Sequence, residues 1–212
     1  VAPFREGMLD NGKDFKTKSY AQYDVNTEED ATGTPIQVKD NKSNEITNKI
    51  NSNLNLKEEI RYFNENNVPV GSGPLPPQVG EETSFKVYWS VTNNLHELKN
   101  TKVEMELPEH MEWKNKPRTS VGNINYIKQE HKVVWKIGKM PTSIHRADGQ
   151  FHFSLTPDKN DTNKVMVISP GATVSAQDTE TEAVIKKDTP PTTTKLKDDN
   201  IADMSSDGRV EE

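Results

Sequence analysis

The sequence predicts an all-β fold, an antiparallel β-sandwich, and three observations lead to this prediction. Short runs of alternating apolar and polar residues recur about every 8 to 12 residues, with Gly, Asn and Pro between them. Only 31% of the 212 residues are hydrophobic, which suits a sandwich because each strand buries only every second residue. No window keeps the spacing of an amphipathic helix for three turns.

The individual strands follow from this alternation. The first is 53–63, where the apolar positions fit alternation about as well as a helix, and we interpret it as extended. The clearest is 83–92, where Phe85, Val87 and Trp89 share one face. Further strands with the same pattern are predicted at 101–107, 124–128, 131–137, 151–155, 165–169, 172–177 and 183–187.

The aromatic residues fall on the inward face of these strands. They are Trp89, Trp113, Trp135, Phe85, Phe151 and Phe153. Such rings could stack on sugars if they were exposed in a row. Their inward positions favour core packing, because each buried ring removes a large apolar area from water.

Three segments are predicted along the chain. Residues 54–199 form a complete sandwich, and 200–212 form a linker or flexible tail because the alternation is lost. Residues 1–53 match the last strands of an upstream module, since 46–53 resembles 192–199 and Tyr20-Ala21-Gln22 resembles Ser175-Ala176-Gln177. The first copy has room for a longer hairpin around Asn26 to Thr34. The proline-rich stretch 69–77 is interpreted as a connector.

The first segment has strand-like runs at 14–25 and 34–46, with too few apolar groups for a core of its own. It therefore completes a sheet with a preceding module of a longer polypeptide, or it adds strands to a neighbouring subunit and builds a filament. Because the chain opens at Val1 without a leader-like segment, we expect a processed product or a part of something longer.

Charge and composition exclude several classes of protein. The net charge is -6 and Lys and Arg do not cluster, so nucleic-acid binding is not expected. No apolar stretch reaches the roughly 20 residues of a membrane span. There is no cysteine, which excludes thiol catalysis and Cys-ligated zinc and leaves the cellular compartment open.

No catalytic, cofactor-binding or metal-binding residue is assigned, and the chain is not expected to be an enzyme. The five histidines, His96, His110, His131, His145 and His152, lack the spacings of zinc sites. His131 and His152 could meet across adjacent strands, although both are expected to face solvent. There is no GxSxG motif, and Gly71-Ser72-Gly73 is followed by Pro74 rather than by a phosphate-binding helix.

Two acidic and amide clusters, 158–163 and 198–200, leave a structural Ca²⁺ open. Neither matches a calcium-loop motif, and Asp and Asn are common in turns because they bond their own backbone. Cross-links between Lys and Asn across strands are also open, with no pair nominated.

Several landmarks are familiar. They are Gly73–Glu81, Tyr88–Asn93, Val103–Pro108, Trp113, Asn123–Tyr126, Val133–Gly138, Phe153–Pro157 and Ala176–Thr179. Over 54–199 this order resembles immunoglobulin-like repeats in large surface proteins of ultra-small uncultivated bacteria, and it is similar to the wider "domain of unknown function eleven" repeats of prokaryotic envelope proteins. The resemblance implies an immunoglobulin-like Greek-key sandwich and a tandem-repeat, extracellular or cell-surface protein without catalysis.

The function expected from these observations is structural. The chain would pair strands with other copies or with neighbouring modules of the same protein, and so form a filament or surface layer. The alternative is an adhesin-type module that recognises a glycan or a host-cell protein through loops at one end of the sandwich.

Overall fold

The computed structural model describes residues 16–22, 32 and 42–212, and the chain divides into two compact units, Val1–Asn51 and Ser52–Glu212. The elements in chain order are β1 Lys16–Ser19, β2 Ile46–Lys49, β3 Asn55–Arg61, β4 Thr83–Thr92, β5 Leu98–Glu106, β6 Met111–Trp113, β7 Arg118–Thr119, β8 Asn123–Ile127, β9 Lys132–Met140, β10 Arg146–Leu155, β11 Val167–Ser169, β12 Thr173–Asp178, β13 Val184–Asp188, β14 Thr192–Thr193 and α1 Asn200–Ser205.

In its described residues, the first unit contains one antiparallel pair of strands. β1 pairs with β2, with Lys16 opposite Lys49 and Ser19 opposite Ile46. β1 lies inside the predicted run 14–25, whereas β2 begins where the predicted run 34–46 ends. The hairpin predicted around Asn26 to Thr34 lies, apart from Thr32, outside the described residues. How this segment is completed stays a prediction.

The second unit is an antiparallel β-sandwich of the immunoglobulin-like type. One sheet has the order β3-β4-β10-β6, with β7 also paired to β10, and the other has the order β13-β12-β5-β9-β8. Neighbours such as β4 and β10, or β5 and β12, are far apart in sequence, so the chain crosses repeatedly between the sheets in Greek-key fashion. The all-β antiparallel sandwich predicted from the sequence is confirmed.

β4 shows why the pattern was informative. Its bounds are the predicted ones, and buried and half-buried side chains alternate from Thr83 to Val91. It pairs with β3 on one side and β10 on the other. A central strand of this kind places one face in the core and leaves the other on the outer surface of the sheet.

The core lies between the two sheets and is rich in aromatic rings. Trp89 and Trp135 are each at most 1% exposed. Trp89 packs edge-on against Phe151, with ring centroids 4.8 Å apart. Trp113 is only partly buried, and its ring stacks on Tyr126. The structure therefore confirms core packing for five of the six predicted rings and places the sixth, Trp113, at the edge.

Gly149 in β10 makes room for the ring of Trp135. A Cβ at this position would lie 3.2 Å from the Trp135 ring and 3.1 Å from Ile124 Cδ1. Those distances are tighter than ordinary van der Waals contact, so the absence of a side chain lets the two sheets approach each other here.

The last residues are part of the sandwich, which differs from the linker or flexible tail predicted for 200–212. Val210 is 2% exposed, and the segment forms single bridges from Glu211 to Gln78, from Val210 to Thr162 and from Arg209 to Val165. The polar composition was misleading because Ala202 and Val210 are enough to anchor the segment.

The proline-rich stretch 69–77, which was interpreted as a connector, links β3 to β4 within the second unit. The backbone N–H groups of Val70 and Gly71 donate to Tyr62 O, and Ser72 and Ser84 form a bridge. Among the residues that the structure describes, no helical segment has the length and apolar character needed to cross a membrane.

Candidate functional site

β3 is the edge strand of its sheet. In the described part of the chain its ladder partner is β4, from Asn55 opposite Thr92 to Arg61 opposite Lys86. An edge strand has one row of ladder hydrogen bonds instead of two, so it depends on other contacts. Here two buried carboxylates from the C-terminal part of the unit bind the backbone on either side of the strand.

Asp178, the last residue of β12, holds the backbone that precedes β3. Its Oδ2 accepts the N–H of Ser52 at 2.8 Å and lies 3.0 Å from His96 Nδ1. Its Oδ1 accepts the N–H groups of Glu180 at 2.9 Å and Thr181 at 3.1 Å. Burial raises the pKa of this carboxyl, but the hydrogen bonds from Ser52, His96, Thr181 and Glu180 outweigh burial and lower the pKa to about 2.

Ser52, His96 and Asp178 are residue types that form hydrolytic triads. Here, however, their hydrogen bonds hold backbone groups in place. Ser52 Oγ accepts the backbone N–H of His96 at 2.9 Å, and His96 Nε2 has no hydrogen-bond partner among the described residues. The imidazole therefore does not activate the hydroxyl. All three side chains are at most 8% exposed, so they lie in the interior of the unit.

Asp199 holds the other end of β3. Its Oδ2 accepts the N–H groups of Tyr62 at 2.8 Å and Phe63 at 2.6 Å, the two residues that follow the strand. Its Oδ1 accepts the N–H of Ala202 at 3.1 Å and so caps α1. One carboxylate thus fixes both the end of the first strand and the start of the C-terminal helix.

Glu58 lies in the middle of β3 and points inward. Its Oε2 accepts Trp89 Nε1–H at 2.6 Å, and its Oε1 lies 2.7 Å from Ser169 Oγ. Burial raises the pKa of this carboxyl, the bonds to Trp89 and Ser169 partly oppose that effect, and the charge of Asp198 adds to it. The side chain links β3 to β4 and β11.

The sequence contained one signal for this group. The inward positions just before and within β3 are Leu54, Leu56, Glu58 and Ile60. A charged residue among buried apolar ones indicates a hydrogen-bonded polar group in the core. Asp178 continues the inward positions Val174 and Ala176 of β12, so it carried the same kind of signal. Asp199 follows Asp198 outside the strands and carried none.

The structure separates the histidine pair. His152 lies in β10, and His131 immediately precedes β9 in the opposite sheet, so the two do not meet across adjacent strands, a possibility that the sequence had left open. His131 is exposed, whereas His152 is half-buried. In residues 16–22, 32 and 42–212, no group of three or more His, Asp or Glu side chains is arranged to hold a metal ion.

The two acidic clusters serve backbone groups. Asp158 accepts the N–H of Asn160 at 2.6 Å, and Asp161 accepts the N–H of Asp158 at 3.0 Å, which forms a capping box around a short 3-10 helix. In the second cluster, Asp199 caps α1. A structural Ca²⁺ at either cluster stays an untested expectation.

A second feature is a cleft of about 680 Å³ on the outer face of the sheet that contains β3. Its floor is a row of four outward side chains that the strand register places side by side: Glu59 opposite Tyr88, Tyr88 opposite Gln150, and Gln150 opposite Arg118. Residues 64–66, 119 and 120 lie around this floor, and further lining comes from Lys57, Arg61, Ser90, Arg146 and Asp148. All of these residues belong to the second unit.

Comparisons with known proteins give only distant similarities. No family model matches the sequence, and no curated protein matches it, so the resemblance to the domain-of-unknown-function-eleven repeats stays a prediction. Solved structures with similar folds include BcpA, the major pilin subunit of Bacillus cereus, at 12% identity and a TM-score of 0.43 over 84% of this chain and 47% of that chain.

Two further structures come from other bacteria. Domains D2 and D3 of the major pilin SpaD from Corynebacterium diphtheriae match at 14% identity and a TM-score of 0.39, over 65% of this chain and 51% of that one. The N-terminal domains of the type V pili tip protein Mfa5 from Porphyromonas gingivalis match at 14% identity and a TM-score of 0.39, over 49% of this chain and 22% of that one. The chain thus spans about half or less of each of these proteins, and the scores are too low to assign it to a family.

Proposed function

We propose that the second unit is a load-bearing structural module of an extracellular or cell-surface protein, and that it works without catalysis. The observation that supports this most directly is the fastening of β3. The first strand of the unit is bound at both ends by carboxylates that lie 126 and 137 positions later in the sequence.

The physical reason is the path of a pulling force. A force applied to the two ends of the unit acts first on β3, because this edge strand has a single ladder. Hydrogen bonds to a charged group contribute about 1.5 to 3 kcal/mol each. Asp178 and Asp199 therefore connect the first strand directly to the last part of the unit, and the core between them carries less of the load.

The second part of the proposal is that the module assembles by pairing strands with other copies or with neighbouring modules. In the described part of the chain β13 pairs only with β12, so its outer edge is open. Val184 in this strand is 66% exposed, so an apolar side chain lies at this open edge. Lys186 and Lys187 are exposed beside it and oppose indiscriminate edge pairing. Such an edge suits a donated strand of complementary charge.

Location at the cell surface and membership of a tandem-repeat protein belong to the same proposal. Their support is the family resemblance of 54–199. The pilin structures named above share only a distant likeness, and the proposal does not rest on them.

Single-molecule force spectroscopy of the full chain tests the load-bearing role. Asp178→Asn and Asp199→Asn should each lower the unfolding force of the second unit. Glu106→Gln is the matched control, because Glu106 is an exposed carboxylate at the end of β5, and it should unfold at the wild-type force. Equal forces in all variants would remove the proposal.

Size-exclusion chromatography and electron microscopy of the full chain test assembly separately. Fibres or ladders of oligomers support strand donation between copies. A monodisperse monomer at high concentration would contradict donation between copies and would leave the mechanical role of β3 in place.

A further inference from the structure

The charged side chains of the cleft on the outer face differ in whether they have a partner of opposite charge. The carboxylates that line the cleft are Glu59, Glu65 and Asp148. Two of them are paired with cations: Glu59 lies 2.9 Å from Lys57 Nζ and 3.1 Å from Arg61 Nη2. Asp148 likewise lies 2.8 Å from Arg146 Nε and accepts Ser90 Oγ–H at 3.0 Å. These two carboxylates are therefore already satisfied and do not require a bound cation.

Two cations remain without such a partner. Arg118 lines the cleft, and Lys86 lies beside it with its Nζ 4.9 Å from the centre of the Tyr88 ring. Neither forms an ion pair with any residue that the structure describes. Burial and the positive charge of Arg118 both lower the pKa of Lys86. Two like charges close together repel each other, and a bound anion would relieve that repulsion.

The rest of the lining indicates what kind of anion fits. Among the described residues, no aliphatic side chain lines the cleft, and Tyr88 offers an aromatic ring surrounded by amides and hydroxyls, among them Gln150, Asn66 and Thr119. Hydroxyl-rich rings use such amides and hydroxyls as hydrogen-bond partners and pack on aromatic rings. The backbone of the central strands β4 and β10 is already paired on both sides, so an extended peptide could not add to them as a strand.

We propose that this cleft binds an acidic saccharide, with a sugar ring beside Tyr88 and a carboxylate between Arg118 and Lys86. The volume of about 680 Å³ lies within the range of small-ligand sites. The binding surface is the face of a sheet rather than the loops at one end of the sandwich. This inference does not depend on the load-bearing role.

Isothermal titration of the full chain with trigalacturonate and with sialyllactose provides the test. At least one of them should bind, and Arg118→Gln or Lys86→Gln should weaken binding about tenfold, the loss of one charged contact. The methyl ester of trigalacturonate should bind about tenfold more weakly than the acid for the same reason. Lys136→Gln is the matched control, because Lys136 is an exposed cation of the opposite sheet, and it should leave binding unchanged.

Several outcomes would overturn the inference. They are absence of binding of either acid at millimolar concentration, equal binding of acid and ester, or an equal loss in Lys136→Gln. Binding of hexaglutamate as tight as that of the saccharides would show that the cleft recognises acidic peptides instead. Melting curves of each variant verify that folding is intact, and unchanged unfolding forces in Arg118→Gln would separate this site from the fastening of β3.

Discussion

Asp199 and Phe63 lie 136 positions apart in the sequence, and the carboxylate of Asp199 accepts the backbone N–H of Phe63 at 2.6 Å. The same oxygen accepts the N–H of Tyr62. The end of the first strand of the sandwich is therefore fixed by a residue close to the end of the chain.

Replacing this carboxylate should destabilise the second unit. Asp199→Asn is expected to lower its free energy of unfolding by about 1 to 3 kcal/mol, because an amide accepts more weakly than a buried carboxylate. Urea denaturation followed by tryptophan fluorescence measures this, since Trp89, Trp113 and Trp135 all lie in that unit. Glu106→Gln, at an exposed position at the end of β5, should change stability by less than about 0.5 kcal/mol. Equal losses in both variants would contradict the role of Asp199.

Asp178 should make the unit sensitive to acid. Its pKa is lowered from 3.8 to about 2 in the folded state, so the stability it confers is present above pH 3.8 and is lost as the pH falls towards about 2. The contribution near neutral pH is about 2 kcal/mol. Asp178→Asn should lack this part of the acid loss, so its urea midpoint should approach that of the wild type as the pH falls. Parallel pH profiles of the two proteins would refute the assignment.

Glu58 should have the opposite effect to Asp178 on how the stability of the unit depends on pH. Burial raises its pKa above 4.5, so the folded state binds a proton more tightly than the unfolded state does, and stability falls as the pH rises through the folded pKa. Glu58→Gln is neutral at every pH and should flatten this decline between acidic and neutral pH. The exposed Glu106 on β5 offers the control Glu106→Gln, which should keep the wild-type profile. A decline that persists in Glu58→Gln would mean that another group causes it.

The close approach of Gly149 and Trp135 can be measured as a coupling. Gly149→Ala should cost about 1 to 3 kcal/mol, because the new methyl group would overpack the core 3.2 Å from the Trp135 ring. In a double-mutant cycle with Trp135→Phe the two effects should be non-additive, since the smaller ring frees space for the methyl group. Additive losses would place the strain elsewhere, for example at Ile124.

The elements of the sheets could be read from the sequence where the inward residues are large. β4 was predicted with its observed bounds because Phe85, Val87 and Trp89 mark its buried face. β10 was predicted only from 151, although it begins at Arg146, because its first inward residues are Ala147 and Gly149. Small side chains at buried positions weaken the alternation signal without weakening the strand.

The candidate sites could not be read in the same way. Asp178 meets Ser52, and Asp199 meets Phe63, only after the Greek-key path has brought distant segments together. The cleft depends on the register of four strands, which places Tyr88 and Arg118 in one row. Local periodicity determines which face a residue occupies, whereas partners across strands depend on pairings that a single sequence does not specify.

The absence of cysteine gives the fastening of β3 one further property. Extracellular domains often close their ends with disulfides, whose formation requires an oxidant and whose loss follows reduction. Here carboxylates join the same parts of the fold, so thiol reagents and changes in redox potential leave the closure intact. The module can therefore reach and keep its final form in reducing and oxidising surroundings alike.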